Sequence, residues 1–190
     1  MLGHMEPRRE LSDVRLVTER LVLREFALDD EDAVHSFTSD PVVTRFTDWG
    51  PNSPADTRQF LAYALAHAND PWRRGFNLAA IETGSGRLVG SVEIGVTSTD
   101  HQRGELGFVF HRDVWSRGYA TEATTALLRF GFEQLGLHRI SATCHPDNRA
   151  SARVLEKVGM ELEGRLRGHM LVRGVRRDSL LYAMVAAAAR

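Results

Sequence analysis

Several short stretches of this chain alternate apolar and polar residues with a period of two, and runs of helical spacing separate them. The stretch Arg20-Leu-Val-Leu-Arg-Glu-Phe26 belongs to a segment 14–26 that predicts a strand. Residues 29–37 begin acidic and turn apolar, which predicts a short helix. A stronger helix start follows at Ser53-Pro54-Ala55-Asp56: Ser is the cap, Pro occupies the first helical position, and an acid sits in the first turn. Phe60, Leu61, Ala64 and Leu65 carry that helix to about Ala68.

Segments 76–81 and 87–94 then predict a hairpin across Thr83-Gly-Ser-Gly86. Gly84, Gly86 and Gly90 imitate a dinucleotide fingerprint, but their spacing is too long and no helix follows, so they read as a turn. Beyond it come a strand at 105–110, a helix at 120–135 and a strand at 138–144. The 120–135 helix sets Ala123, Leu127 and Phe130 on one face, with Leu128, Phe132 and Leu135 beside them. A helix at 148–158 ends at Gly159, and strands at 163–171 and 176–185 meet at Arg173-Gly174. Hairpins first and strand–helix–strand later predict an α/β protein, a mixed sheet with helices on both faces. With no repeat and no linker, residues 14–190 read as one domain behind a polar, aperiodic arm over 1–13.

Composition adds bounds. A chain of 190 residues is large enough to bury about 70% of its unfolded surface. A net charge of −1 argues against nucleic acid or an anionic membrane as partner. No apolar run reaches the length of a membrane span, no leader-like apolar segment opens the chain, and a single cysteine fits a reducing cytoplasm. Cys144, in the apolar run Ile140-Ser-Ala-Thr-Cys144, reads as a small buried hydrophobe, with an acyl-carrying thiol as the sharper alternative. The eight histidines show no paired metal spacing, no cysteine pair exists, and the Gly-Lys-Ser/Thr ending of a nucleotide loop is absent; neither metal nor ATP is expected.

The richest chemistry lies where strand 105–110 passes through Trp115-Ser-Arg-Gly118-Tyr-Ala120-Thr-Glu-Ala into a helix. A first helical turn leaves N–H groups unpaired at the positive end of the macrodipole, a ready site for phosphate. Gly118 lets an anion approach the main chain, and Arg112 and Arg117 flank the turn as cations suited to phosphate. A second cluster, His145-Pro-Asp-Asn148-Arg-Ala-Ser151-Ala-Arg-Val-Leu155-Glu-Lys-Val-Gly159-Met160, follows about thirty residues on.

These two segments, in this order, resemble the GNAT superfamily of N-acetyltransferases, nearest the branch of the ribosomal-protein alanine acetyltransferases RimJ and RimL. The family's pyrophosphate loop, Arg/Gln-x-x-Gly-x-Gly/Ala, appears as Trp115-Ser-Arg-Gly118-Tyr-Ala120, with Trp in the first place. The likeness runs from Thr18-Glu-Arg-Leu-Val-Leu-Arg to Asp178-Ser-Leu-Leu-Tyr182. It implies a three-layer α/β/α sandwich whose mostly antiparallel sheet splays into a V between strands 105–110 and 138–144. Acetyl-CoA is the implied cosubstrate. Its pantetheine arm pairs with the backbone of Phe108, Val109 and Phe110, and its pyrophosphate rests on the amides of Arg117, Gly118, Tyr119, Ala120 and Thr121.

The resemblance further implies that Ser151 donates to the departing thiolate and that Asn148 holds pantetheine amides; Asn148 is equally a helix N-cap. For the proton acceptor, Glu105 is a candidate because it starts the strand that leads to the thioester; His169 is another, beside Met170 near the place where some relatives carry a carboxylate, and bulk water is the alternative for an amine already partly neutral. Phe46, Trp49 and Trp72 are expected to roof the acceptor pocket or to pack in the core. Arg165, Arg167, Arg173, Arg176 and Arg177 make a basic terminal hairpin, a solvated edge or a site for an acidic acceptor. The implied reaction is direct acetyl transfer to a primary amine, a protein N-terminus or a small molecule, by a homodimer. A non-catalytic acyl-CoA sensor is the alternative.

Overall fold

The computed structural model describes Leu11 and residues 13–186, so most of the expected arm over 1–13 lies outside the described residues. Eight strands form one sheet: β1 (Arg15–Val17), β2 (Leu21–Glu25), β3 (Gly75–Glu82), β4 (Leu88–Ser98), β5 (Arg103–Phe110), β6 (Arg139–Cys144), β7 (Glu161–Val172) and β8 (Val175–Val185). Their order across the sheet is β1-β2-β3-β4-β5-β6-β8-β7. Every neighbouring pair is antiparallel except β5 with β6. Four helices complete it: α1 (Glu31–Thr38), α2 (Pro54–Ala68), α3 (Tyr119–Glu133) and α4 (Arg149–Lys157). No helix among the described residues is long and apolar enough to cross a membrane.

Alternation along the strands gives both faces of the sheet a core. Leu78 and Ala80 point into a large cluster with Leu127, Phe130 and Leu155 of α3 and α4, while Ala79 between them joins Val34, Phe37 and Leu61 of α1 and α2. This is the sheet with helices on both faces that the pattern predicts, and the sandwich that the resemblance implies. The segment 14–26 departs from expectation, being two strands rather than one. The Thr18 amide donates to the Leu21 carbonyl at 2.9 Å, and the Leu21 amide donates back to the Thr18 hydroxyl at 3.0 Å, closing a tight turn. The cap at Ser53 forms as read: Ser53 Oγ accepts the Asp56 amide, and the Asp56 carboxylate accepts the Ser53 amide at 2.8 Å.

Candidate active site

The parallel pairing of β5 with β6 is brief. It joins Arg103, Gly104 and Glu105 to Arg139, Ile140 and Ser141, and then the strands part. Residues 106–110 remain paired with β4 on their other side, down to Phe110 opposite Gly90. One edge of Phe108 and Val109 therefore faces an opening rather than a strand, as the resemblance implies. Main-chain groups on such an edge require a partner, and an extended amide-bearing chain supplies one. Gly90 makes the β4 side tight: a Cβ there would lie 2.5 Å from the Val109 carbonyl oxygen and 2.6 Å from the Phe110 ring.

At the end of β5 the indole of Trp115 donates to the Phe110 carbonyl at 2.8 Å, pinning the loop to the strand. That is the work of the tryptophan in the first place of the loop pattern. Gly118 then caps α3 with φ of 84°, a left-handed conformation that glycine adopts without a Cβ penalty. The Arg117 amide donates to the Val114 carbonyl at 3.4 Å, but the amides of Gly118, Tyr119, Ala120 and Thr121 have no main-chain partner among the described residues. Four free donors at a helix start suit a diphosphate.

A turn far away in sequence braces this corner. The Glu122 carboxylate accepts the Thr18 hydroxyl at 2.6 Å, the Arg20 amide at 2.7 Å and Arg20 Nε at 2.7 Å. Arg20 Nη1 reaches the Arg117 carbonyl at 2.9 Å, and its guanidinium lies 4.7 Å above the Tyr119 ring. Burial alone would raise the Glu122 carboxyl, yet the hydrogen bonds from Thr18 and Arg20 overcome it and hold the group below its ordinary value. A depressed carboxylate adds stability that is complete above its unfolded pKa and is lost as pH falls through the lower folded one. Glu122→Gln is therefore expected to cost about 1–2 kcal/mol at neutral pH, a difference that shrinks below about pH 4. Parallel melts of the two proteins across acid pH check this. Arg20 and Glu122 escaped sequence reading because 102 residues separate them.

Arg117 lies 3.9 Å from Glu82 with an exposed side chain, beside the turn as expected. Arg112 instead turns toward Asp40, 3.4 Å away. Across the opening, Asn148 caps α4 by accepting the Ser151 amide at 3.2 Å, which leaves its NH2 group for another acceptor. Ser151 is half-buried, and both residues line the cleft. The buried Cys144 thiol is pushed up to about 11, by burial and then by Glu156. Such a thiol is protonated at neutral pH and behaves as core.

The other mouth of the cleft opens on the α1–α2 side. Glu105 occupies the last paired position before the strands part. His169 Nδ1 lies 3.0 Å from the hydroxyl of buried Ser179, presented by a register shift between Leu166 and Met170. Phe46 and Trp49 line the cleft, and Phe46 stacks on His145 at 5.1 Å. Trp72 does neither job expected of it: it lies outside the cleft and is 79% exposed. Its place in the turn between α2 and β3 leaves it on the surface.

The basic hairpin proves divided. Arg165 pairs with Asp178 at 2.7 Å, and Arg173 bonds the carbonyls of Trp49 and Gly50, clasping the roof to the β7–β8 turn. Arg177 lines the cleft. Glu93, which sequence reading missed, also lines it, on β4 opposite Gly107. The available signal was a lone charge inside Val89-Gly-Ser-Val-Glu93-Ile. Among the described residues no group of three or more His, Cys, Asp or Glu side chains is placed to hold a metal.

Comparison with known proteins agrees with this geometry. The family description "Acetyltransferase (GNAT) domain" matches residues 20–161. The uncharacterized N-acetyltransferase YnaD of Bacillus subtilis is 33% identical over 151 residues, covering 80% of this chain and 85% of that protein. A GNAT-family acetyltransferase from Bacillus anthracis superposes with a TM-score of 0.81 at 34% identity, over 90% of this chain and 98% of the other. Mycobacterium smegmatis RimJ, solved with CoA-disulfide, superposes with a TM-score of 0.79 at 25% identity, over 96% and 90%. This chain, whose β5 and β6 part beside a glycine-headed helix, belongs to the GNAT family of N-acetyltransferases.

Proposed function

We propose that this chain transfers the acetyl group of acetyl-CoA directly to a primary amine, a protein N-terminus or a small molecule, within a ternary complex. One observation carries the reading. A single cleft joins the free amides at the start of α3, the parted edge of β5, and an acid-lined mouth on the opposite face. A diphosphate, an amide-bearing arm and an incoming amine each find suitable groups in it.

Gly118, Tyr119, Ala120 and Thr121 would hold the diphosphate through their amides, with Arg117 beside them. Phe108 and Val109 would pair with the pantetheine arm, and the Asn148 NH2 would meet one of its carbonyls. Bound there, acetyl-CoA supplies an activated acetyl thioester. Ser151 has a hydroxyl to offer the departing sulfur, and Phe46 and Trp49 cover the acceptor. The amine must reach the thioester neutral, so a proton acceptor on the acceptor side is required.

Measuring free thiol released from acetyl-CoA across a panel of amines and N-terminal peptides tests the reading. Release that depends on the acceptor is expected. Tight coenzyme binding with no release for any acceptor would establish an acyl-CoA sensor instead.

A further inference from the structure

We infer that Glu93, rather than Glu105 or His169, takes the proton from the incoming acceptor ammonium, an assignment that rests on the acetyl-transfer reading above. Three features of its surroundings point there. Val92 and Ile94 face α3, so Glu93 between them faces the acceptor side. Its partner across the β4–β5 ladder is Gly107, which belongs to the stretch of β5 already parted from β6. A Cβ on Gly107 would stand 2.7 Å from Glu93 Oε1, so the carboxylate lies directly over that residue. The absence of a side chain at 107 is what brings an acid to the parted edge where the thioester would lie.

Among the described residues, no cation or hydrogen-bond donor holds Glu93. Desolvation by the surrounding walls, then the like charges of Glu105 on β5 and Asp48 in the roof, push its carboxyl above the ordinary value, although the side chain itself stands open to the cleft. A carboxylate that binds protons more tightly is a stronger base. His169, by comparison, is tied to Ser179, and Glu105 stands where the strands are still joined.

The step balances simply. One N–H bond of the ammonium breaks and its proton passes to a Glu93 oxygen. The freed nitrogen lone pair forms the C–N bond with the acetyl carbon as the C–S bond breaks and its electron pair leaves on sulfur. The nitrogen then loses its surplus proton, sulfur gains one to become the free thiol, and Glu93 returns its proton to water.

Glu93→Gln is the test. With an active acceptor, kcat is expected to fall by about 100-fold or more, and the acidic limb of the pH–rate profile should vanish. Affinity for coenzyme A should stay within about twofold. Because ionising a raised carboxyl weighs against the folded state, the variant should also melt no lower than the parent at neutral pH. Carbon-13 titration of the free protein should place the Glu93 carboxyl above an ordinary glutamate, and Glu105→Gln should bring it down. A kcat within about threefold of the parent, or a retained acidic limb, overturns the assignment while leaving acetyl transfer intact. Loss of coenzyme binding in Glu93→Gln overturns it too, by showing a structural role. A parent protein that binds coenzyme yet acetylates nothing removes both readings together.

Discussion

Gly118→Val should leave the protein folded but weaken coenzyme A binding by about 10- to 100-fold. At φ of 84° a β-branched residue is strained by about 1–3 kcal/mol. Relief is possible only by rotating the peptide units around residue 118, which turns away the amides a diphosphate needs. A Cβ there would also stand 3.3 Å from Arg20 Nη2, so the brace between Arg20 and Glu122 feels the change. Hydrogen bonds to charged groups are worth about 1.5–3 kcal/mol, and every 1.4 kcal/mol is about tenfold in affinity. Isothermal titration with coenzyme A decides the matter. Unchanged affinity would mean that the diphosphate does not rest on this turn.

The second large effect is expected at Gly90, which does not line the cleft. Gly90→Ala puts a methyl carbon 2.5 Å from a main-chain oxygen of Val109, against backbone rather than a flexible side chain. Overpacking of this kind costs about 1–3 kcal/mol, or roughly 2–12 °C in melting temperature for a chain of this size. The displaced atoms belong to the parted edge of β5, so coenzyme affinity should fall in the same variant. Gly84→Ala is the control, since a Cβ there meets nothing within 4 Å. A Gly90→Ala protein with the parent's melting point and affinity would show that the edge of β5 is not held this rigidly.

Prediction from local pattern succeeded where the physics is local. The Ser53-Pro54 helix start, the Asn148 cap and the strand leading into Gly118 each depend on residues within a few positions of one another. The division of segment 14–26 into two strands was missed because the polar run Thr18-Glu-Arg20 was read as part of one strand, and the Thr18–Leu21 hydrogen bonds turn the chain there. Trp72 misled for a related reason: an aromatic after a helix has the same composition whether it packs or not.

The sequence by itself determined which segments alternate, where helices start, and that a glycine-headed helix follows a strand with two arginines nearby. It did not determine what lies across from what. The parting of β5 from β6 after Glu105, the brace from Arg20 to Glu122, the clasp of Arg173 on the roof and the seat of Glu93 over Gly107 all depend on strand register and chain crossings. A one-residue slip in register sends every side chain of a strand to the opposite face. Only the assembled sheet could place an acid in β4 beside a glycine in β5.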